Sequence, residues 1–126
     1  MKVLIATQKP FAAAAVKGIR EILEGAGHEV VLLEKYAEAK DLIDAVADVE
    51  AMIIRSDKVT PEVLDAAKKL KIVVRAGAGF DNVDLAAATA HGVVVENTPG
   101  QNANAVAELA IALMIFMSRN QFTPVS

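Results

Sequence analysis

Short apolar runs alternate along the whole chain with longer segments of helical periodicity, and this alternation limits the folds open to it more than any other feature. The runs fall at residues 2–6, 29–33, 51–54, 72–74 and 93–95 and are rich in Val and Ile. Strands separated by helices are the signature of parallel βα units. The runs do not alternate polar with apolar, so each is expected to be buried on both faces, as parallel strands under helices are. Residues 11–25 place Val16, Ile19, Ile22 and Leu23 on one helical face with Lys17, Arg20 and Glu21 opposite, and "GAG" ends the helix. Segments 37–46 and 61–69 follow the same pattern. Thr60 is suited to cap the second of these with Pro61 at its first position, and Asp84 to cap a helix that stops at Gly92. A final helix is expected over 102–118. Five such strands predict an α/β domain with an open, doubly wound parallel sheet, and the usual order for five is 2-1-3-4-5.

Composition narrows the function. A chain of 126 residues with one continuous pattern fits a single domain with its own core. No cysteine is present, so disulfides and thiolate metal sites are excluded and no metal is expected; His28 and His91 are the only histidines. Thirteen basic and 16 acidic residues give a net charge of −3, and the basic ones form no stripe, which argues against a nucleic-acid partner. "MKVLIATQKP" reads as a first strand and not as a signal peptide. The longest apolar stretch, "LAIALMIFM" at 109–117, is well short of the roughly 18 residues that a membrane span needs. A cytoplasmic location is expected.

In a sheet of this order the ligand crevice opens at the loops after strands one and three, with the loop after strand four beside it. These loops are "TQKP", "RSDKVT" and "RAGAGFDN". Gly77 and Gly79 begin like a dinucleotide fingerprint, but Asn82 stands where the third glycine belongs, and Glu96 lies beyond the fifth run and not at the end of a second strand. The glycines still leave backbone N–H groups that can approach an anion such as a carboxylate. Arg55 offers a planar fork of donors and Ser56 a hydroxyl. Lys58 and Lys9 would add charge, or would be solvated loop residues; Arg55 could equally sit in a structural ion pair. A phosphoacceptor site would need acidic residues where Arg55-Ser56 and Thr7-Gln8 stand, and a flavin phosphate loop is poorly matched by "TQKPFAAAA". With no histidine, cysteine or nucleophile elbow in these loops, the crevice has an anion cradle without an evident acid or base. His28 and His91 read as surface residues away from it.

The segments "IIRS…VT" and "VVRAGAGFDNVDLAAATAHGVVVENTPGQNANAVAELAIALM" carry Arg-Ala-Gly-x-Gly-x-Asp-Asn-Val-Asp, Asn-Thr-Pro and Val-Ala-Glu in order. In these motifs the chain resembles the D-isomer-specific 2-hydroxyacid dehydrogenases, firmly over residues 51–119. The resemblance implies a flavodoxin-like substrate-binding domain at residues 1–119, with 120–126 starting the connection to a dinucleotide domain, so that the chain is a fragment of a larger enzyme. It implies NAD as cofactor, held mainly by that other domain, and no catalytic residue within these 126. Arg55 and Ser56 match the family's substrate-gripping pair, Gly77, Ala78 and Gly79 the loop whose N–H groups hold the substrate carboxylate, and Asn102 a position that reaches substrate. Ala78 occupies a site that often carries a hydroxyl near the nicotinamide, which implies cofactor contact only through backbone or methyl. "RSDKVT" is one residue shorter than the common form "RSATKVT", so the resemblance leaves the family positions of Asp57 and Lys58 open. The implied reaction is oxidation of 3-phosphoglycerate to 3-phosphohydroxypyruvate, which feeds serine biosynthesis.

Two other functions stay open on the residues: a non-catalytic small-anion-binding or regulatory module, and a dehydrogenase for another 2-hydroxyacid. The last helix is apolar on every side from Ala105 to Met117 except at Glu108. One sheet face cannot cover such a helix, so a homodimer built on it is expected.

Overall fold

The computed structural model describes residues 1–7, 13–55, 57–76, 82–98 and 103–118. Five strands, β1 (Lys2–Thr7), β2 (Glu29–Glu34), β3 (Ala51–Ile54), β4 (Ile72–Ala76) and β5 (Val94–Thr98), alternate with five helices, α1 (Ala13–Gly25), α2 (Ala39–Ala45), α3 (Pro61–Ala66), α4 (Leu85–Ala90) and α5 (Ala103–Ser118). The strands are all parallel and lie in the order β2-β1-β3-β4-β5, as the five apolar runs predicted.

Side chains that alternate along the strands feed two separate cores. Leu4, Met52, Ile54 and Val73 point to the face covered by α2, α3 and α4, with Leu42, Val63, Leu64 and Ala88 from those helices. Val3, Ile5, Ile53, Ile72 and Val74 point to the other face, under Val16, Ile19 and Leu23 of α1 and Val106, Ala107, Ala110 and Met114 of α5. Burying one such Leu or Ile side chain contributes about 1.5–3 kcal/mol, so the sheet is the main source of stability.

Burial on both faces holds for β1, β3 and β4 but not for the outer strands. β2 and β5 are mostly half-buried, because an edge strand has cover on one side only. This relaxed demand explains why β5 continues through the polar residues Glu96 and Asn97 to Thr98. Glu96, expected beyond the strand, lies inside it with an exposed side chain.

The helix signals acted where they were read. Thr60 Oγ1 accepts from the Val63 N–H at 3.4 Å and Asp84 Oδ1 from the Ala87 N–H at 2.9 Å. Gly27 and Gly92, with φ of 90° and 72°, close the turns after α1 and α4 in a left-handed conformation that suits glycine. Helix α3 is shorter than the 61–69 pattern: Ala67 leaves helical geometry, with ψ of 72°, and Leu70 turns into the core.

Candidate functional site

The strand order reverses between β1 and β3, and the helices after them pack on opposite faces, so a crevice opens at the carboxyl ends of these strands. Arg55 stands there, half-buried, as the first residue beyond β3. Both of its peptide groups are held. Its N–H donates to Asp57 Oδ1 at 3.3 Å, while its carbonyl accepts from Arg75 Nε at 3.0 Å and from Asn82 Nδ2 at 3.2 Å.

Asp57 is buried, with 1% of its surface exposed, and its second carboxylate oxygen accepts from the Tyr36 hydroxyl. Burial, and then the bond to Asp57, push the Tyr36 phenol above its ordinary range, so it stays protonated and donates. The Asn82 amide also donates to the Asp57 carbonyl at 2.6 Å. With two carbonyls facing its nitrogen, the orientation of this amide is fixed; its Oδ1 is buried without a partner among the described residues. A parallel bridge between Val59 and Val83 completes the clamp, through Val59 N–H to the Asn82 carbonyl at 2.9 Å and Asp84 N–H to the Val59 carbonyl at 3.0 Å. The loop after β3 is therefore stitched to the loop after β4 before α3 begins at Pro61.

Of the residues singled out in the sequence, Arg55 stands directly beyond β3 at the carboxyl edge of the sheet, and Lys58 is exposed on the same loop. Ser56, Gly77, Ala78, Gly79, Asn102 and Lys9 lie outside the described residues. The two histidines are remote from the crevice. His28 Nδ1 is 3.1 Å from the N-terminal amine, and burial, then the charge of that amine, lowers its pKa. His91 caps α4 against α3. The side chains that sequence reasoning missed are Tyr36, Asp57, Arg75 and Asn82. Asp57 carried a readable signal, an acidic residue three positions past the end of β3 and two past Arg55, where Asx side chains fold back on the backbone. Tyr36 did not, because its partner is distant in sequence.

Among the described residues no group of His, Asp and Glu could hold a metal ion, and no helix is long and apolar enough to cross a membrane. What the described residues offer is an arginine on a fixed backbone at the carboxyl edge of a parallel sheet. Such a group can bind and orient an anion.

The model of the D-isomer specific 2-hydroxyacid dehydrogenase catalytic domain matches residues 4–122. D-3-phosphoglycerate dehydrogenase of Sus scrofa is 46% identical over 101 residues, 79% of this chain and 19% of its own length. The enzyme of the same name from Archaeoglobus fulgidus is 44% identical over 120 residues, 94% of this chain and 21% of its own length. Among solved structures, the NAD+-bound 3-phosphoglycerate dehydrogenase of Entamoeba histolytica superposes with a TM-score of 0.79 at 54% identity, over 100% of this chain and 42% of that one. The chain thus spans only a minor part of the length of each.

Proposed function

The chain belongs to the D-isomer specific 2-hydroxyacid dehydrogenases, and from that membership we propose that it is the substrate-binding part of an NAD-dependent, cytoplasmic D-3-phosphoglycerate dehydrogenase that works as a homodimer. The proposed reaction oxidises 3-phosphoglycerate to 3-phosphohydroxypyruvate. NAD supplies the acceptor for the hydride that leaves the hydroxyl carbon. The described residues do not fit a dinucleotide cradle: at the place of the fingerprint's third glycine, the Asn82 amide is bound to the carbonyls of Arg55 and Asp57. In this reading NAD is held mainly by a separate domain, and the role of these residues is to grip and aim the acid. Orientation of that kind can lower a barrier by several kcal/mol.

The observation that carries the reading is the placement of Arg55 at the topological switch point, with both its peptide groups tied. A guanidinium there suits the phosphate or carboxylate of the substrate, with the N–H groups of the 77–79 loop as the proposed second anchor. Calorimetric titration with 3-phosphoglycerate, glycerate and inorganic phosphate tests this. Saturable binding of 3-phosphoglycerate that exceeds glycerate and is lost in Arg55→Ala supports it. Equal binding of glycerate would point to another 2-hydroxyacid, and affinity unchanged in Arg55→Ala would remove Arg55 from the site.

A further inference from the structure

We propose that Asp57, gripped by Tyr36, is a positioning residue that aims Arg55 at the substrate anion; the inference rests on Arg55 having the substrate role given above. A carboxylate on a residue only 1% exposed is costly to bury unless its oxygens are satisfied, and here both oxygens have partners. One oxygen takes the Arg55 N–H and the other takes the Tyr36 hydroxyl, so a single side chain joins the residue at the mouth of β3 to the loop that follows β2. β1 lies between those two strands. The contact therefore spans the sheet position of β1 and joins the carboxyl ends of β2 and β3.

Local backbone geometry is shaped for this contact. Lys35 takes φ of 56°, a left-handed conformation that a residue with a Cβ adopts only at a cost, and its N–H donates to the Thr7 carbonyl at 3.0 Å. The turn delivers Tyr36, a residue 9% exposed, into the core it shares with Leu42, Val63 and Leu64, and its hydroxyl meets Asp57. With the Arg55 carbonyl held by Arg75 and Asn82, the Asp57 contact fixes the other peptide group of the same residue. A long side chain magnifies small rotations of its backbone, and a misplacement of about 1 Å at a reacting anion is enough to cost a large factor in rate or affinity.

The test uses the full chain with Asp57→Asn, Tyr36→Phe, Arg55→Ala and the Asp57→Asn/Arg55→Ala pair, titrated with 3-phosphoglycerate and followed by 15N amide spectra. Asp57→Asn should weaken binding by roughly tenfold, the scale of a lost hydrogen bond to a charged group, and Tyr36→Phe by less. In the Arg55→Ala background Asp57→Asn should cost nothing further. The Arg55 amide should shift and exchange faster, while amides of β1 and β3 keep their positions. An equal loss with and without Arg55, or full affinity in Asp57→Asn, overturns the proposal. If Asp57→Asn does not fold, Tyr36→Phe decides by the same cycle with Arg55→Ala. If the parent chain binds no 3-phosphoglycerate, the substrate reading fails on its own. The Arg55 amide then decides the positioning: an unmoved amide in Asp57→Asn overturns it and a moved one supports it.

Discussion

At Arg55 the backbone is bound from both sides, so its replacement should affect the ligand more than the fold. On the proposed function, Arg55→Ala in the intact enzyme is expected to weaken 3-phosphoglycerate use by about 2–4 kcal/mol, the scale for removing one member of a charge pair, with little change in melting temperature. Arg55→Lys should restore only part, because an ammonium lacks the planar fork. A collapse in melting temperature with unchanged affinity would mark Arg55 as structural. His91 allows a second prediction from geometry. Its Nδ1 is 2.8 Å from the Ala87 carbonyl and its Nε2 2.8 Å from Asp65 Oδ1, and both oxygens only accept, so both contacts are hydrogen bonds only in the imidazolium. The carbonyl bond first, and the Asp65 bond next, raise its pKa above the ordinary value, with desolvation and then Lys68 opposing. A raised folded pKa stabilises fully below the unfolded value of about 6.5, and that stabilisation is lost as pH rises through the folded value. The melting difference between the parent and His91→Gln should therefore shrink from pH 6 to pH 9; a constant difference would refute the pairing.

Helix α3 shows how element-scale stability depends on a few local bonds. It is short, begins at Pro61, and is capped by Thr60. Thr60→Ala should cost about 1 kcal/mol in chemical denaturation, as should Asp84→Ala at α4, whereas Thr60→Ser should be nearly neutral. A loss shared by Thr60→Ser would mean that the methyl packing matters and not the cap. These caps were readable in the sequence because an N-cap depends on residues within one turn of it. The five strands were readable for a related reason: parallel strands under helices are apolar in their buried stretch, as Val3–Ala6 of β1, all of β3 and Ile72–Val74 of β4 are. The length of β5 was not, since an edge strand can carry Glu96 and Asn97 without penalty. At the site, Arg55 stood out because a cation directly after an apolar run requires explanation. Tyr36 and Asp57 are 21 positions apart and Asp57 and Asn82 are 25 apart, so their meeting depends on the sheet order and on no local pattern.

For the whole molecule, the two faces of the sheet are covered unequally. Three short helices lie on one side, while α1 and the long α5 cover the other and also pack on each other. The proposed division of labour, with NAD held elsewhere, leads to the expectation that purified 126-residue chain forms no NADH from 3-phosphoglycerate and NAD; turnover in that assay would overturn it. Helix α5 carries the other prediction at this scale. Val106, Ala107, Ala110 and Met114 are buried against the sheet and α1, whereas Ile115 and Phe116 on the outer side remain 45% and 44% exposed. A helix that is apolar all round keeps its inner stripe dry with one sheet face and leaves a second stripe toward water. Large apolar side chains adjacent on one helix form the kind of surface that soluble chains usually cover, and a symmetric pair of helices is the simplest cover available to identical chains. Light scattering coupled to size exclusion at micromolar concentration should therefore find a dimer, and Ile115→Glu should convert it to a monomer without lowering the melting temperature of the domain, because the substitution falls outside both cores. A parent chain that runs as a 13.3 kDa monomer, unaffected by Ile115→Glu, would show that α5 needs no second copy.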